Sequence, residues 1–408
     1  MPPRRVVVTG LGIISPLGLN LADNWKSLSE GRPAIRPLDS VDVSRVPMKL
    51  LNAAQVRGFN PEQHFEAGRE AYLDRFAQFS VVAAREALRD SALQLDAKVR
   101  ENAAIVCGSA VGGQSAIEIG FEDLYVSGRG RVHPLTIPKT MANAGASQIS
   151  MDTGFTGPTY TVSTACSSAN HAIGQAFRLV RDGEAEIAVA GGSEAPFVIG
   201  MLKAWEAMRV IAPDTCRPFS KDRKGMILGE GGAMMILEPL EAAKARGARI
   251  YCEICGLGMS SDAHHLTQPL VEGPARAMRG ALKDAGLAIE EIGYINAHGT
   301  GTPGNDPVES QAIRKVFGAH ADKLAVSSTK SMHGHALGAA GALEAVATVL
   351  AIYNGILPPT ANYNEQDPEC DLDYIPNHAR RQQVGAALSN SFAFGGLNAV
   401  IAFRAFPR

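Results

Sequence analysis

The sequence predicts a duplicated α/β protein in which helices lie on and between sheets. Three observations predict it. Short segments recur in the same order along the chain, so it reads as two related halves. Apolar runs of strand length alternate with segments of helical spacing. Many of those runs are apolar throughout, as in strands covered on both faces.

The repeats come first. RVVVTGLGIIS at Arg5 returns as IYCEICGLGMS at Ile250, and LRDSAL at Leu88 returns as LKDAGL at Leu282. VSTACSSANHAIG at Val162 returns as VSSTKSMHGHALG at Val326, and GGAMMILE at Gly231 as GGLNAVIAF at Gly395. The last two pairs share one separation. Matches in one order point to duplication of a domain, and the period is too long for a solenoid. The expected halves are residues 1–247 and 248–408, the first with an insertion within 110–160.

The strand candidates are VVVTG, NAAIVCG, EIAVAGG and AMMILEP, then IYCEICG, IGYINAHG, LAVSST and NAVIAF. Between them, Ala169, Ala172, Ile173, Ala176, Phe177 and Val180 follow the 3-and-4 spacing of a helix. A second helix is expected from about Ala339 to Tyr353. Gly10-x-Gly12 resembles a dinucleotide fingerprint, but Ser15 and Pro16 follow where a third glycine is needed, and the motif returns at Gly256. It reads as a turn repeated by the fold.

Composition excludes several classes. A net charge of −2 leaves no basic footprint, so no nucleic-acid partner is expected. Six irregularly spaced cysteines make no disulfide framework, which fits a reducing, cytoplasmic setting. MPPRRVVVTG contains no signal core, and no long unbroken apolar run predicts membrane insertion. Cys252 and Cys255 form a CxxC in a strand-like run, where they face opposite sides. No second CxxC completes a zinc set, and no metal site is expected.

The chemistry gathers in four segments. Cys166 ends the run YTVSTA just before a helix, where free N–H groups and the helix dipole favour thiolate. A small buried core cysteine would look the same, and Thr164, Ser167 and Ser168 fit helix caps under either reading. His298 follows an apolar strand in the Gly-rich loop INAHGTGTPGNDPVE, with Asp306 and Glu309 beyond it to hold the loop. Strand ends of α/β sheets commonly carry chemistry. SSTKSMHGHALG holds Lys330, His333 and His335, and duplication puts Lys330 at the place of Cys166. A pseudo-twofold would set the two helix entrances face to face, with the Lys–His cluster as a wall of the cysteine's pocket. SNSFAFGG ends in a turn whose N–H groups suit an oxyanion.

A cysteine, two histidines and a lysine suit acyl transfer followed by carbon–carbon bond formation. The thiolate takes an acyl group from a thioester. A malonyl unit then loses CO2 to become an enolate, stabilised by two imidazole N–H donors.

With these residues in view, the chain resembles the decarboxylating β-ketoacyl-(acyl carrier protein) synthases of the Cys-His-His type, condensing enzymes with a thiolase-like fold. The likeness runs over VVVTGLGIISPLG, GPTYTVSTACSSA, VAGGSEA, CRPFSKDRKGMILGEGG, GMSSDAHH, NAHGTGTP, SSTKSMHGHALGAAG, PPTANY, CDLDY and SNSFAFGG. KAWEAMR and APDTCRPFS are most similar to the branch that includes nodulation-associated ketosynthases. The resemblance implies two αβ halves layered α-β-α-β-α. It implies that Cys166 carries the acyl group, that His298 and His335 are the paired imidazoles and that Lys330 is the essential lysine. Phe394 would be a gatekeeper whose N–H joins that of Cys166 in an oxyanion hole. Val111, Phe392, Thr300 and Thr302 would bind substrate, and Asp306, Glu309 and Glu344 would support the site. The family implies a homodimer, acyl carrier protein as acidic partner, and no cofactor beyond the phosphopantetheine that the carrier brings. Arg129 and Arg131 are the candidates for its basic docking rim.

Three positions depart from the family pattern: His333 for Thr, Ala393 for Gly beside the gate, and Leu397 for Thr. None removes a reacting group, and the stiffer backbone of Ala393 predicts stiffer gating. The alternative is a non-catalytic subunit that sets chain length in a heterodimer. Such subunits typically lack the nucleophilic cysteine, which is present here. A thiolase would use a second cysteine near the carboxyl end, and none follows Cys370.

Overall fold

A computed structural model describes residues 3–44, 46–50 and 52–407. Its main sheet contains β1 (Val6–Ile14), β2 (Ala103–Gly108), β3 (Thr159–Val162), β4 (Ile187–Glu194), β5 (Gly231–Pro239), β6 (Cys252–Ser261), β7 (Ile292–Asn296), β8 (Ala325–Ser327), β9 (Ala386–Ala393) and β10 (Leu397–Ala405). Across the sheet the order is β8-β7-β9-β10-β6-β1-β5-β4-β2-β3. The order is a palindrome about the β6–β1 pair, which is joined only through Val6–Val8 against Cys252–Ile254. From that seam outward, each side reads antiparallel, antiparallel, parallel, parallel. The repeats in the sequence thus occupy mirrored places in the sheet.

Alternate residues of single strands enter different cores. Ala104 and Val106 of β2 join Ile173, Phe177, Val346 and Leu350 in a central core, with the helices Ser168–Arg181 and Ala340–Asn354. Ala103 and Ile105 face outward to Phe76, Phe79 and Ala83 of the helix Arg75–Ser91. On the other side Leu388 and Val400 meet Met278 and Ala281 of the helix Glu272–Ala285. Helix, one wing of the sheet, helix pair, the other wing and helix are therefore layered in that order. Covering on both faces explains the continuous apolar strands. The run Leu337–Asn354 is long and apolar enough to cross a membrane, but it belongs to the central layer and 89% of it is buried.

The GLG repeat is not a turn. Gly10 and Gly12 lie inside β1, and Gly256 and Gly258 inside β6. A Cβ at these positions would overlap the carbonyl oxygens of Ala87, Ala83, Ala281 and Ala277. The helix backbone rests directly on the strand in both halves. Each strand also carries a register shift near its first glycine. The N–H groups of Leu11 and Leu257, just past the shifts, donate to Asp90 Oδ2 and Asp284 Oδ2, both at 2.9 Å. Asp90 and Asp284 are the aspartates of LRDSAL and LKDAGL, so two repeats that are far apart in sequence form one mirrored contact.

Two strands were absent from the runs picked out in sequence. TYTV (β3) is short, and AALSNSFA (β9) is rich in small and polar residues. Tertiary neighbours make β9 a strand, since it is buried between β7 and β10. Cys252 points to the central core and Cys255 packs against the outer one, as their strand spacing requires.

Candidate active site

The nucleophile candidate sits in a strained turn. β3 ends at Val162, and Ala165 takes φ +51, a left-handed conformation unusual for alanine. Hydroxyls hold the turn. Ser168 Oγ accepts from Thr164 N at 2.9 Å and donates to Ala165 O at 2.6 Å, and Ser167 Oγ donates to Thr164 O at 2.9 Å. These groups brace the turn instead of capping the helix, whose N-cap Ser167 makes no side-chain cap bond. Cys166 lines a cavity of about 220 Å3.

The second half supplies the facing wall. His298 leaves β7 in a loop held by Glu309, which accepts from the N–H groups of His298 and Gly299, both at 2.8 Å. Asp306 accepts from Phe219 N at 2.7 Å and from Gly301 N at 3.2 Å. His335 is fixed from the first half, its N–H donating to Ile227 O at 2.7 Å. The His298 and His335 rings meet edge to face, with centroids 5.4 Å apart at 86°. Both line the cavity with Cys166, as do Thr300, Thr302, Phe392 and Phe394. Thr300 and Thr302 share a hydroxyl bond of 2.8 Å, and Phe392 lies 6.0 Å from His298.

Lys330 stands behind the wall and does not line the cavity. It is fully buried, ion-paired with Glu344, and donates to His298 O at 2.6 Å and His298 Nδ1 at 3.3 Å. Nδ1 of His335 accepts from Leu337 N at 3.1 Å. Both imidazoles therefore have Nδ1 engaged as an acceptor, which assigns their protons to Nε2. Burial, reinforced by the Lys330 charge, holds both rings well below the usual histidine range. They are neutral N–H donors at neutral pH.

The thiol departs from the expectation of a helix-activated thiolate. Burial pushes Cys166 up to about 11, opposed by the charge of Lys330 and by the N–H groups of Phe394 and Cys166 itself. Desolvation of the anion outweighs the helix entrance. Burial likewise lifts Glu344 to about 7 against the pull of Lys330.

Other candidates stand apart. The side chain of His333 lies behind the wall, its Nδ1 2.8 Å from Gly334 O and its Nε2 3.0 Å from Thr329 Oγ1. Val111 does not line the cavity; its N–H reaches Glu194 at 3.3 Å. Arg129 and Arg131 are exposed and away from it, and Arg129 is paired with Asp123 at 2.8 Å. The cations at the cavity mouth are Arg209 and Lys224. Two further residues had carried no assignment. Trp205, one of two tryptophans, lines the cavity and stacks on Phe394. Glu194, within VAGGSEA, accepts from Ser109 Oγ, Ala110 N, Val111 N and Gly338 N at 2.7–3.3 Å, tying the two halves together. Its GG-x-E motif was a visible signal, but four donors converging on one carboxylate can be seen only in three dimensions.

Comparison with known proteins decides the class. The N-terminal domain of the β-ketoacyl synthases matches residues 3–243, and their C-terminal domain matches residues 251–364. The chain belongs to the β-ketoacyl synthase family. Nodulation protein E of Rhizobium sp. (strain N33) is 49% identical over 98% of this chain and 99% of its own length. The 3-oxoacyl-[acyl-carrier-protein] synthase 2 of Coxiella burnetii is 43% identical over 98% of both. Among solved structures, the ishigamide ketosynthase/chain length factor superposes with a TM-score of 0.95 at 37% identity, over 99% of this chain and 100% of that one. This β-ketoacyl synthase is an acyltransferase that catalyses condensation, and its layered scaffold is the thiolase-like fold of the family.

Proposed function

We propose that this β-ketoacyl synthase elongates carrier-bound acyl chains from Cys166, with malonyl-carrier protein as donor. The reading is carried by one observation: Cys166, His298 and His335 line one cavity, each imidazole with Nδ1 occupied and Nε2 left to donate. The halves 1–247 and 248–408 then divide the chemistry, the first bringing the nucleophile and the second the donors.

Cys166 Sγ attacks the thioester carbonyl of an acyl-carrier protein and releases the carrier thiol, which keeps the proton. The N–H groups of Cys166 and Phe394, already directed at the sulfur, suit the oxyanion that forms. Malonyl-carrier protein binds next. Its carboxylate leaves as CO2, and the electron pair becomes an enolate whose oxygen accepts from Nε2 of His298 and His335. The enolate carbon attacks the acyl carbonyl and the Cys166–acyl bond breaks. The sulfur leaves as thiolate and takes a proton from solvent. The products are 3-oxoacyl-carrier protein, CO2 and the free enzyme.

Lys330 sustains the donor tautomer of His298 and places positive charge behind the enolate, while Glu344, Glu309 and Asp306 hold that wall. Phe394 gates the acyl site, and Phe392, Thr300 and Thr302 bind the incoming thioester arm. Arg209 and Lys224 suit an acidic carrier protein at the mouth better than the paired Arg129 does. Exposed Ile119, Phe121, Tyr125, Val126 and Ile137 form an apolar face that fits a homodimer. The reaction as drawn needs no resident cofactor, and the setting is cytoplasmic. The deciding experiment is intact-mass analysis after incubation with a panel of acyl-carrier proteins. An acyl adduct on Cys166 supports the reading; an adduct elsewhere, or none, overturns it.

A further inference from the structure

His335 is set by a turn that does not hold itself. Its backbone is pinned by Ile227 O and Gly229 N, which leaves the orientation of the ring to other contacts. Nδ1 accepts from Leu337 N at 3.1 Å, and that bond keeps Nε2 as the donor. The bond needs Leu337 at φ +44, a left-handed conformation for a buried, branched side chain. Such a conformation persists only where the surroundings enforce it.

The next residue meets what enforces it. Gly338 N donates to Glu194 Oε2 at 3.0 Å, and the same oxygen accepts from Ala110 N at 2.7 Å. Glu194 ends β4 of the first half and is fully buried. Ser109 Oγ at 2.9 Å and Val111 N at 3.3 Å hold its other oxygen, so both ends of the carboxylate are fixed. A Cβ on Gly338 would lie 2.3 Å from Ala110 N and 2.5 Å from Glu194 Oε2. The turn and the carboxylate therefore meet with no room for a side chain between them. Glu194 itself does not line the cavity of Cys166.

We infer that Glu194 is a positioning residue for His335: from the first half it clamps the Gly338 N–H of the second, which keeps Leu337 N on Nδ1 of the imidazole and leaves Nε2 as the donor. The inference rests on the reading of His335 as an enolate donor. It ties the joint between the halves to decarboxylation in particular.

Glu194→Asp tests it. The charge stays, and the carboxylate draws back by about 1.5 Å, one carbon–carbon bond, out of reach of Gly338 N. Decarboxylation of malonyl-carrier protein falls by about 10- to 100-fold, while self-acylation of Cys166 from a short acyl-carrier protein changes by less than about twofold. Gly338→Ala attacks the same tie from the second half and gives the same selective loss. Ser109→Ala removes one donor to Glu194, leaves Gly338 in place and keeps the parent's ratio of the two rates. In a His335→Ala background Glu194→Asp costs nothing more, because both act through one imidazole. With the histidine nitrogens isotopically labelled, the NMR signals lost in His335→Ala identify its ring. They show Nδ1 unprotonated in the parent and a mixture of tautomers in Glu194→Asp. Equal loss of both rates, an additive loss in the double variant, or an unchanged tautomer overturns the positioning role while leaving His335 as donor. A protonated Nδ1 in the parent, or decarboxylation that survives His335→Ala, overturns it together with the reading beneath it.

Discussion

The Lys330 ammonium donates to Nδ1 of His298 across 3.3 Å while its remaining contacts go to His298 O and the Glu344 carboxylate. One buried cation thus sets the tautomer of the His298 imidazole. Lys330→Ala is expected to slow condensation by about 10²- to 10⁴-fold. Lys330→Arg should not restore it, because a planar fork cannot replace a compact ammonium in a closed pocket. Single-turnover assays check this, with acyl transfer to Cys166 retained. Glu344, already lifted to about 7 by burial, loses its partner, and breaking such a pair costs about 3–5 kcal/mol of stability.

On the proposed mechanism the two half-reactions should separate by residue. Cys166→Ala is expected to abolish the acyl-enzyme while malonyl decarboxylation persists. His335→Ala should block decarboxylation while self-acylation continues. Mass analysis and CO2 release on the same samples measure both. Equal loss of both steps in either variant would sink the division of roles.

Alkylation reports the thiol directly. With Cys166 lifted to about 11, the thiolate fraction grows about tenfold per pH unit below that value. The rate of iodoacetamide modification at Cys166 should climb steadily from pH 7 to 10 without levelling off. A plateau below pH 9 would show that the helix entrance wins over burial.

Glu194 joins the halves and carries a pH signature. Burial lifts its carboxyl to about 7. The native state therefore binds the proton more tightly than the unfolded chain. The stability gained is full below the unfolded value and disappears as pH rises through about 7. Glu194→Gln should flatten that part of the stability–pH curve. Its amide N–H groups also face donors at Ala110, Val111 and Gly338, so overall stability falls by about 1–3 kcal/mol. Gly338→Ala should act at the same joint, since its Cβ would overlap Ala110 N and Glu194 Oε2. Urea unfolding at several pH values tests both.

Val111 donates its N–H to Glu194 and follows Ala110, which packs on the apolar cluster of Phe197, Leu202 and Leu337. Val111→Phe should shorten the longest chain loaded on Cys166, read by intact mass. An unchanged chain-length profile would place the tunnel elsewhere.

The candidates for the chemistry were legible because they are local. TACSS, NAHGTG and KSMHGH each put reactive residues at the end of a strand or the start of a helix, and backbone geometry alone marks such places. The seam was legible through duplication: LRDSAL and LKDAGL predicted equivalence, although their aspartates caught the N–H groups of Leu11 and Leu257 only when helices met strands. Expectations that depended on surroundings fared less well. GLG looked like a turn because Gly10 and Gly12 have no side chain to reveal the helix lying on them. AALSNSFA lacks the β-branched residues of a strand and is held by its neighbours.

The chain by itself determined the alternation of elements, the repeats that take mirrored places in the sheet and the candidates for the reacting groups. These follow from apolar periodicity and repetition, which are written residue by residue. Only the folded molecule decided that Lys330 stands behind His298 instead of beside Cys166, and that the resting thiol is protonated. It also decided that Trp205 meets Phe394. The reason is that burial and the distance between charges set protonation and reach. Both are properties of the space between segments, and no single segment encodes that space.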